Sequence, residues 1–184
     1  MLARDMTKDP PAVPAPIAAR VLPLVDLAGL LPPRGALIGL DLGTKTIGVA
    51  SCDPDRRLAT VVETVWRTKF TADAARLLIL AKERNAVAFI LGLPLNMDGS
   101  EGPRAQASRT FARNFARISG RPIGLWDERL STAAVERALI AADASRAKRA
   151  QVIDQHAAAF ILQGALDFLG RIADENAPDE DLPD

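Results

Sequence analysis

Three acids stand out by position: Asp41, Glu128 and Asp154. Asp41 interrupts an almost unbroken apolar run from Ala36 to Leu42. Such a run marks a strand covered on both faces. A carboxylate there costs several kcal/mol of desolvation unless its charge is compensated. Glu128 lies just past a second apolar stretch, Pro122 to Trp126, where α/β sheets gather their ligand sites. Asp154 shares a helical face with Ala157, Ala158, Ile161, Ala165 and Phe168, and an acid on an apolar face is an informative exception. Three carboxylates brought from separate elements to one sheet edge suit a hard divalent cation, Mg²⁺ or Mn²⁺, which takes oxygen ligands and leaves places for water and phosphate. Such ions can activate a water and steady the leaving oxygen of a phosphodiester, and they offset the repulsion between clustered carboxylates. Plainer readings stand beside this one: Asp41 as a turn cap, and Asp154 as a first-turn acid favoured by the helix dipole. Asp127 competes with Glu128, because neighbours on a strand alternate faces and the register is open.

The remaining candidates carry less. His156 is the only histidine, so no metal site rests on two imidazoles, and a surface or packing role is expected for it. Cys52 is the only cysteine, which excludes an internal disulfide and a cysteine metal cluster and suits a reducing cytoplasm. Asp98 sits in a loop and reads as a turn residue. Arg109, Arg113 and Arg117 recur every four residues on one helical face; they read equally as a track for a phosphate backbone or as a solvated face. Trp66 and Trp126 abut strands and are expected in the core, and aromatic residues are too sparse for a stacking platform.

The elements that must position these residues follow from periodicity. Met1 to Arg20 is rich in Pro and Ala and is expected to be extended or disordered. Leu22 to Leu31 reads as a short helix or a strap on the core, ended by Pro32-Pro33. Ala36 to Leu42 is a strand, Gly43-Thr44-Lys45 a tight turn, and Thr46 to Ser51 a second strand. Leu58 to Trp66 is β-branched and reads as a third, so short connections imply an antiparallel meander. Thr71 to Arg84 is a helix with Thr71 as N-cap. Val87 to Leu93 is an apolar strand, and Gly92 to Ser100 a loop dense in turn residues. Arg104 to Ser119 is a helix, Pro122 to Trp126 a strand, Thr132 to Ala142 a short helix, Ser145 to Ala150 a basic linker and Gln151 to Arg171 the last helix. The sum is an α/β fold: a mixed five-stranded sheet, three strands of meander plus parallel strands, flanked by helices. This is the element order of the ribonuclease H-like fold. The domain is expected over 36–171, after an extension over 1–35 and before an acidic tail over 172–184.

The 184 residues suffice for one domain with a sizeable core. Basic and acidic residues balance at 23 each, so only their distribution informs: a basic middle and an acidic tail permit a polyanion partner. No apolar run reaches membrane-spanning length, and the N-terminus lacks the plan of a secretory signal. Both point to the cytoplasm and away from a membrane.

Four motifs occur in order: Gly39-Leu-Asp-Leu-Gly-Thr-Lys-Thr-Ile-Gly-Val-Ala50, Gly92-Leu-Pro-Leu-Asn-Met-Asp-Gly-Ser-Glu-Gly102, Asp127-Glu-Arg-Leu-Ser-Thr132 and Val152-Ile-Asp-Gln-His-Ala-Ala-Ala-Phe-Ile-Leu-Gln163. Together they closely resemble the bacterial pre-16S rRNA nuclease family, also known as Holliday junction resolvase-like, over roughly Leu37 to Phe168. The resemblance implies a ribonuclease H-like fold, a cytoplasmic setting and a part in trimming the 5′ end of pre-16S rRNA. It implies that Asp41, Glu128 and Asp154 are the catalytic, metal-binding acids, and so favours Glu128 over Asp127. Lys45, Asn96, Arg104, Arg109 and Arg113 are then the expected substrate-binding residues. Two departures stand out. The family often has Lys-Arg in the turn where this chain has Lys45-Thr46, and the basic stretch before the last helix is thinner here, Arg146 to Arg149.

Three functions compete on this reading. The first is an Mg²⁺- or Mn²⁺-dependent nuclease acting on pre-16S rRNA, with branched DNA as the alternative substrate, as monomer or homodimer; two symmetric cuts would need a two-fold dimer. The second is an ATP-binding protein of the actin and sugar-kinase type, which also opens with an Asp-x-Gly-Thr strand–turn–strand but carries two such domains. The third is a non-catalytic nucleic-acid-binding module, against which the acids weigh, because they repel phosphate. In the first, Gly43 and Gly48 are expected to be thin-backbone positions that let a nucleic-acid strand approach Asp41.

Overall fold

The computed structural model describes residues 20–130 and 145–176, without the side chains of 146–155. The expected helix at Thr132 to Ala142, the segment before Arg20 and the tail after Asn176 lie outside the described residues. In chain order the elements are β1 (Val21–Pro23), α1 (Leu24–Ala28), β2 (Ala36–Leu42), β3 (Thr46–Cys52), β4 (Ala59–Trp66), α2 (Phe70–Glu83), β5 (Ala86–Leu93), α3 (Pro103–Ser119), β6 (Ile123–Asp127) and α4 (Arg146–Glu175).

The strands form one sheet in the order β1-β6-β5-β2-β3-β4. β2, β5, β6 and β1 run parallel, while β3 and β4 are the antiparallel meander. The sheet therefore has six strands rather than the expected five. The sixth, Val21–Pro23, pairs with β6 and comes from the segment read as helix or strap. Its three residues are too few to show alternation, so only pairing reveals it.

Alternation along β2 splits the core into two layers. Ile38, Leu40 and Leu42 pack with α2 and α3 residues such as Leu77, Phe111 and Phe115. Leu37 packs on the other face with α1 and α4, among Leu24, Leu27, Ala158 and Leu162. α4 lies very close to the sheet because Gly39 has no side chain: a Cβ there would sit 2.6 Å from Leu162 Cβ and 2.9 Å from the Ala158 carbonyl oxygen.

Helix boundaries differ instructively. α2 begins at Phe70, not Thr71, and its N-cap is Lys69. Phe70 meets Phe111 edge to face, with ring centroids 5.7 Å apart, and the Asp73 carboxylate accepts from the Thr68 N–H at 3.0 Å. A ring contact and a first-turn acid thus replace the cap expected of Thr71. The expected basic linker is mostly helix, since α4 begins at Arg146 and continues to Glu175. α3 starts as Gly102-Pro103 suggests, with Pro in the first turn, and ends on Gly120 at φ 62°, the left-handed position that glycine occupies at low cost.

Candidate active site

Asp41 sits near the C-terminal end of β2, two residues beyond Gly39, on the face covered by α4. Its backbone pairs with Gly48 of β3. Glu128 follows β6. Because β6 runs parallel to β5, and β5 to β2, both acids arrive at the same edge of the sheet. Alternation puts the two candidates Glu128 and Asp127 on opposite faces. Trp126 belongs to the α4-side core, so Glu128, two residues on, shares the face of Asp41, while Asp127 points the other way.

The residue between the two acids is Gly92 of β5. A Cβ on Gly92 would lie 2.5 Å from Glu128 Oε1 and 2.6 Å from Ile161 Cδ1. The missing side chain is therefore the space in which the Glu128 carboxyl rests, beneath α4. Burial pushes this carboxyl up to about 7, and the neighbouring Asp41 charge adds to the rise. Arg104, at the first turn of α3, opposes it, and Asp127 adds a smaller upward contribution. Asp127 itself is held below the ordinary carboxylate range by its hydrogen bonds from Arg129, including Nη2 to Oδ2 at 2.6 Å. Adjacent acids are thus driven in opposite directions by burial on one side and an ion pair on the other.

Arg129 also donates to the carbonyls of Asn96 and Met97, at 3.4 and 3.2 Å. It thereby ties the loop after β5 to the flank of Glu128. Within that loop Asp98 accepts from the Ser100 N–H at 2.9 Å and from Ser100 Oγ at 2.6 Å, the turn role read from the sequence. The Asn96 amide donates to Ser100 Oγ at 2.9 Å, so this side chain shapes the loop.

The basic residues separate into groups. Arg104 acts electrostatically on Glu128, and Lys45 is exposed at the tip of the β2–β3 turn. Arg109, Arg113 and Arg117 instead line a cavity of about 320 Å³ with Val21 and Ala116, and Arg109 pairs with Glu101. From Arg104 to Arg117 the helix descends about 20 Å, so the row leaves the acidic edge. His156 is exposed, its ring tilted against Phe160 at 6.0 Å.

Gly43 and Gly48 answer to packing. A Cβ on Gly43 would come within 2.9 Å of the Thr46 carbonyl oxygen, and one on Gly48 within 3.3 Å of Ala158 Cβ. The first closes the turn and the second seats α4. Trp66 corrects the expectation that both tryptophans are core: Trp126 is 6% exposed and Trp66 72%. The roles of Gly92 and Arg129 were passed over in the sequence. The only available signal was the Asp-x-Arg spacing of 127 and 129, which permits a local ion pair.

Among the described residues no three acidic, His or Cys side chains form a group able to hold a metal ion. Asp41 and Glu128 form a pair, and the Asp154 side chain lies outside the described residues, although its backbone belongs to α4. The pair nevertheless fits a hard cation. A carboxyl raised chiefly by burial and further by a neighbouring carboxylate is an oxygen donor short of positive charge.

A mixed sheet of this order, with Asp41 and Glu128 at the ends of β2 and β6, defines the class of fold as ribonuclease H-like. The fold aligns with that of T. thermophilus RuvC in complex with a Holliday junction substrate, at a TM-score of 0.51 and 15% identity, over 76% of this chain and 96% of that one. The chain belongs to the RuvX family, described as Holliday junction resolvase, whose model matches residues 35–168. A relative from Rhodopseudomonas palustris (strain BisB18), named as a pre-16S rRNA nuclease, is 73% identical over 157 residues, covering 85% of this chain and 94% of the relative. One of the same name from Nitrobacter hamburgensis is 73% identical over 151 residues, covering 82% and 93%.

Proposed function

We propose that this nuclease depends on a divalent cation, Mg²⁺ or Mn²⁺, and acts at the 5′ end of pre-16S rRNA. The observation that carries the reading is the placement of Asp41 and Glu128 on one face at the same edge of the sheet, with the Glu128 carboxyl seated over Gly92. A structural role gives no reason to keep two repelling carboxylates on a core face. Asp41, Glu128 and Asp154 would hold the cation. When bound, it would lower the pKa of a water and offset the negative charge that develops at phosphorus. Arg104 sets a positive charge near Glu128, where a scissile phosphate gains from it. Lys45 faces solvent beside the same edge and would hold a neighbouring phosphate. Asn96 would act through the shape of its loop, and Arg109 and Arg113 would meet only a long substrate.

The RNA substrate comes from the names of the relatives, and the four-way DNA junction from the family description. A cytoplasmic setting accords with both. No helix among the described residues is long and apolar enough to cross a membrane. The deciding experiment offers 5′-extended 16S precursor and a synthetic four-way junction, with EDTA, Mg²⁺ or Mn²⁺, to wild type and Asp41→Asn. Metal-dependent trimming of the precursor, lost in the variant, is the expected outcome. Undiminished metal-dependent cleavage by Asp41→Asn overturns the site. Cleavage of the junction alone overturns the RNA substrate.

A further inference from the structure

Trp66 is the most unusual exposed side chain near the site. It ends β4 and is paired with Thr46 at the start of β3. Asp41 pairs with Gly48, and Gly48 with Thr64. Thr46 and Gly48 are two residues apart, as are Thr64 and Trp66, so Trp66 lies on the same face of the sheet as Asp41. It also lies toward the same edge. Two strand spacings and two residue rises put the two Cα atoms about 12 Å apart. The indole is 72% exposed, an arrangement that costs hydration unless something covers it.

The surroundings are basic. Lys45, Arg67 and Lys69 are all exposed. The Arg67 N–H donates to the Lys45 carbonyl at 2.9 Å, and Arg67 Nη1 donates to the Gly43 carbonyl at 2.6 Å. An exposed aromatic side chain at a strand end, with Lys45 in the adjoining turn and Arg67 and Lys69 just after it in the chain, offers what single-stranded nucleic acid requires: a π surface for a base and positive charge nearby for the flanking phosphates. Glu63 on β4 is paired with Arg76 of α2; the acids nearer this charge are Asp73, which accepts from the Thr68 N–H, and Asp41 on the same face.

We infer that Trp66 is a base-stacking subsite for an unpaired nucleotide flanking the bond under attack, with Lys45, Arg67 and Lys69 on its phosphates. The subsite makes single-stranded nucleic acid the preferred substrate form, since a paired base presents no open face to the indole. This rests on the nuclease reading and deepens it.

The test measures binding in EDTA, with cleavage silent, to a short single-stranded RNA and to its duplex. Only two tryptophans are present, and Trp126 is buried, so intrinsic fluorescence reports Trp66. Single strands should quench wild type, duplex should not, and Trp66→Phe should abolish the change. Trp66→Ala should weaken single-strand binding about ten-fold without altering its salt dependence, because no phosphate contact is lost. Lys45→Ala should instead reduce the salt slope by about one. Unchanged affinity in Trp66→Ala, or equal quenching by duplex, overturns the subsite alone. So does conversion of a dimer to a monomer by Trp66→Ala with RNA affinity intact, which would make the indole a protein contact. Failure to bind nucleic acid of any form, in Ca²⁺ as well as in EDTA, overturns the nuclease reading as well.

Discussion

Replacing Glu128 with Gln should stabilise the protein, and only at neutral to alkaline pH. Free of metal, the folded chain holds the Glu128 proton to about 7, against an ordinary value of 4.5. Below 4.5 both folded and unfolded chains are protonated there, and the group is neutral to stability. Between the two values the folded chain binds the proton that the unfolded chain has lost, so stability falls as pH rises. Above 7 the folded chain carries a buried carboxylate facing Asp41, partly relieved by Arg104. The difference between the two values sets a ceiling of about 3 kcal/mol, or roughly 6–12 °C in Tm for a chain of this size. Gln keeps the shape and removes the titration. Urea unfolding in EDTA at about pH 4 and pH 8 measures the effect: the variant should match wild type at the lower pH and exceed it by about 2–3 kcal/mol at the higher one. Mg²⁺ at the higher pH should narrow the gap, because it binds the folded wild type alone. An equal gap at both pH values, or none at either, would refute the account of Glu128 as a buried, repelled acid.

Other substitutions test the framework around it. Gly39→Ala sets a methyl against Leu162 Cβ and the Ala158 carbonyl, atoms that cannot rotate away, and should cost about 2–3 kcal/mol in urea unfolding; a near-neutral result would mean that α4 packs more loosely. Gly92→Ala meets only the movable ends of Glu128 and Ile161. It should cost about 1 kcal/mol of stability while lowering the cleavage rate about 10²-fold, and an unchanged rate would detach Glu128 from catalysis. Leu27 is fully buried in α1, so Leu27→Ala should cost about 2–4 kcal/mol; calorimetry showing no loss would return α1 to the status of a loose strap.

What the sequence disclosed depended on the kind of information each feature needs. The apolar run around Asp41 marked a central strand, and β2 is flanked by β3 and β5 as that run requires. The meander was legible because short connections leave few alternatives. The sixth strand was not, since three residues carry no period. Trp66 was misplaced for a related reason: alternation assigns a residue to a face but not to cover, and β4 is the last strand of the sheet. The arginine row was visible as a row, but helical spacing does not say toward which end of the sheet a helix runs. Glu128 and Asp127 became distinguishable once Trp126 fixed the face of β6. The seat of the Glu128 carboxyl over Gly92 joins residues thirty-six positions apart, and no local pattern encodes it.

The close seating of α4 on Gly39 and Gly48 has a bearing on when the site is assembled during synthesis. Asp41 and Glu128 both precede α4 in the chain, and until residues 146–175 have emerged, α1 alone is available to cover the face carrying Leu37, Ala50 and Ile90. A nascent chain halted before that point holds two of its acids on an unfinished, solvent-exposed surface, without the helix that seals it. Ile161, which closes the seat of the Glu128 carboxyl, therefore joins its neighbours only after β2, β5 and β6 have been made.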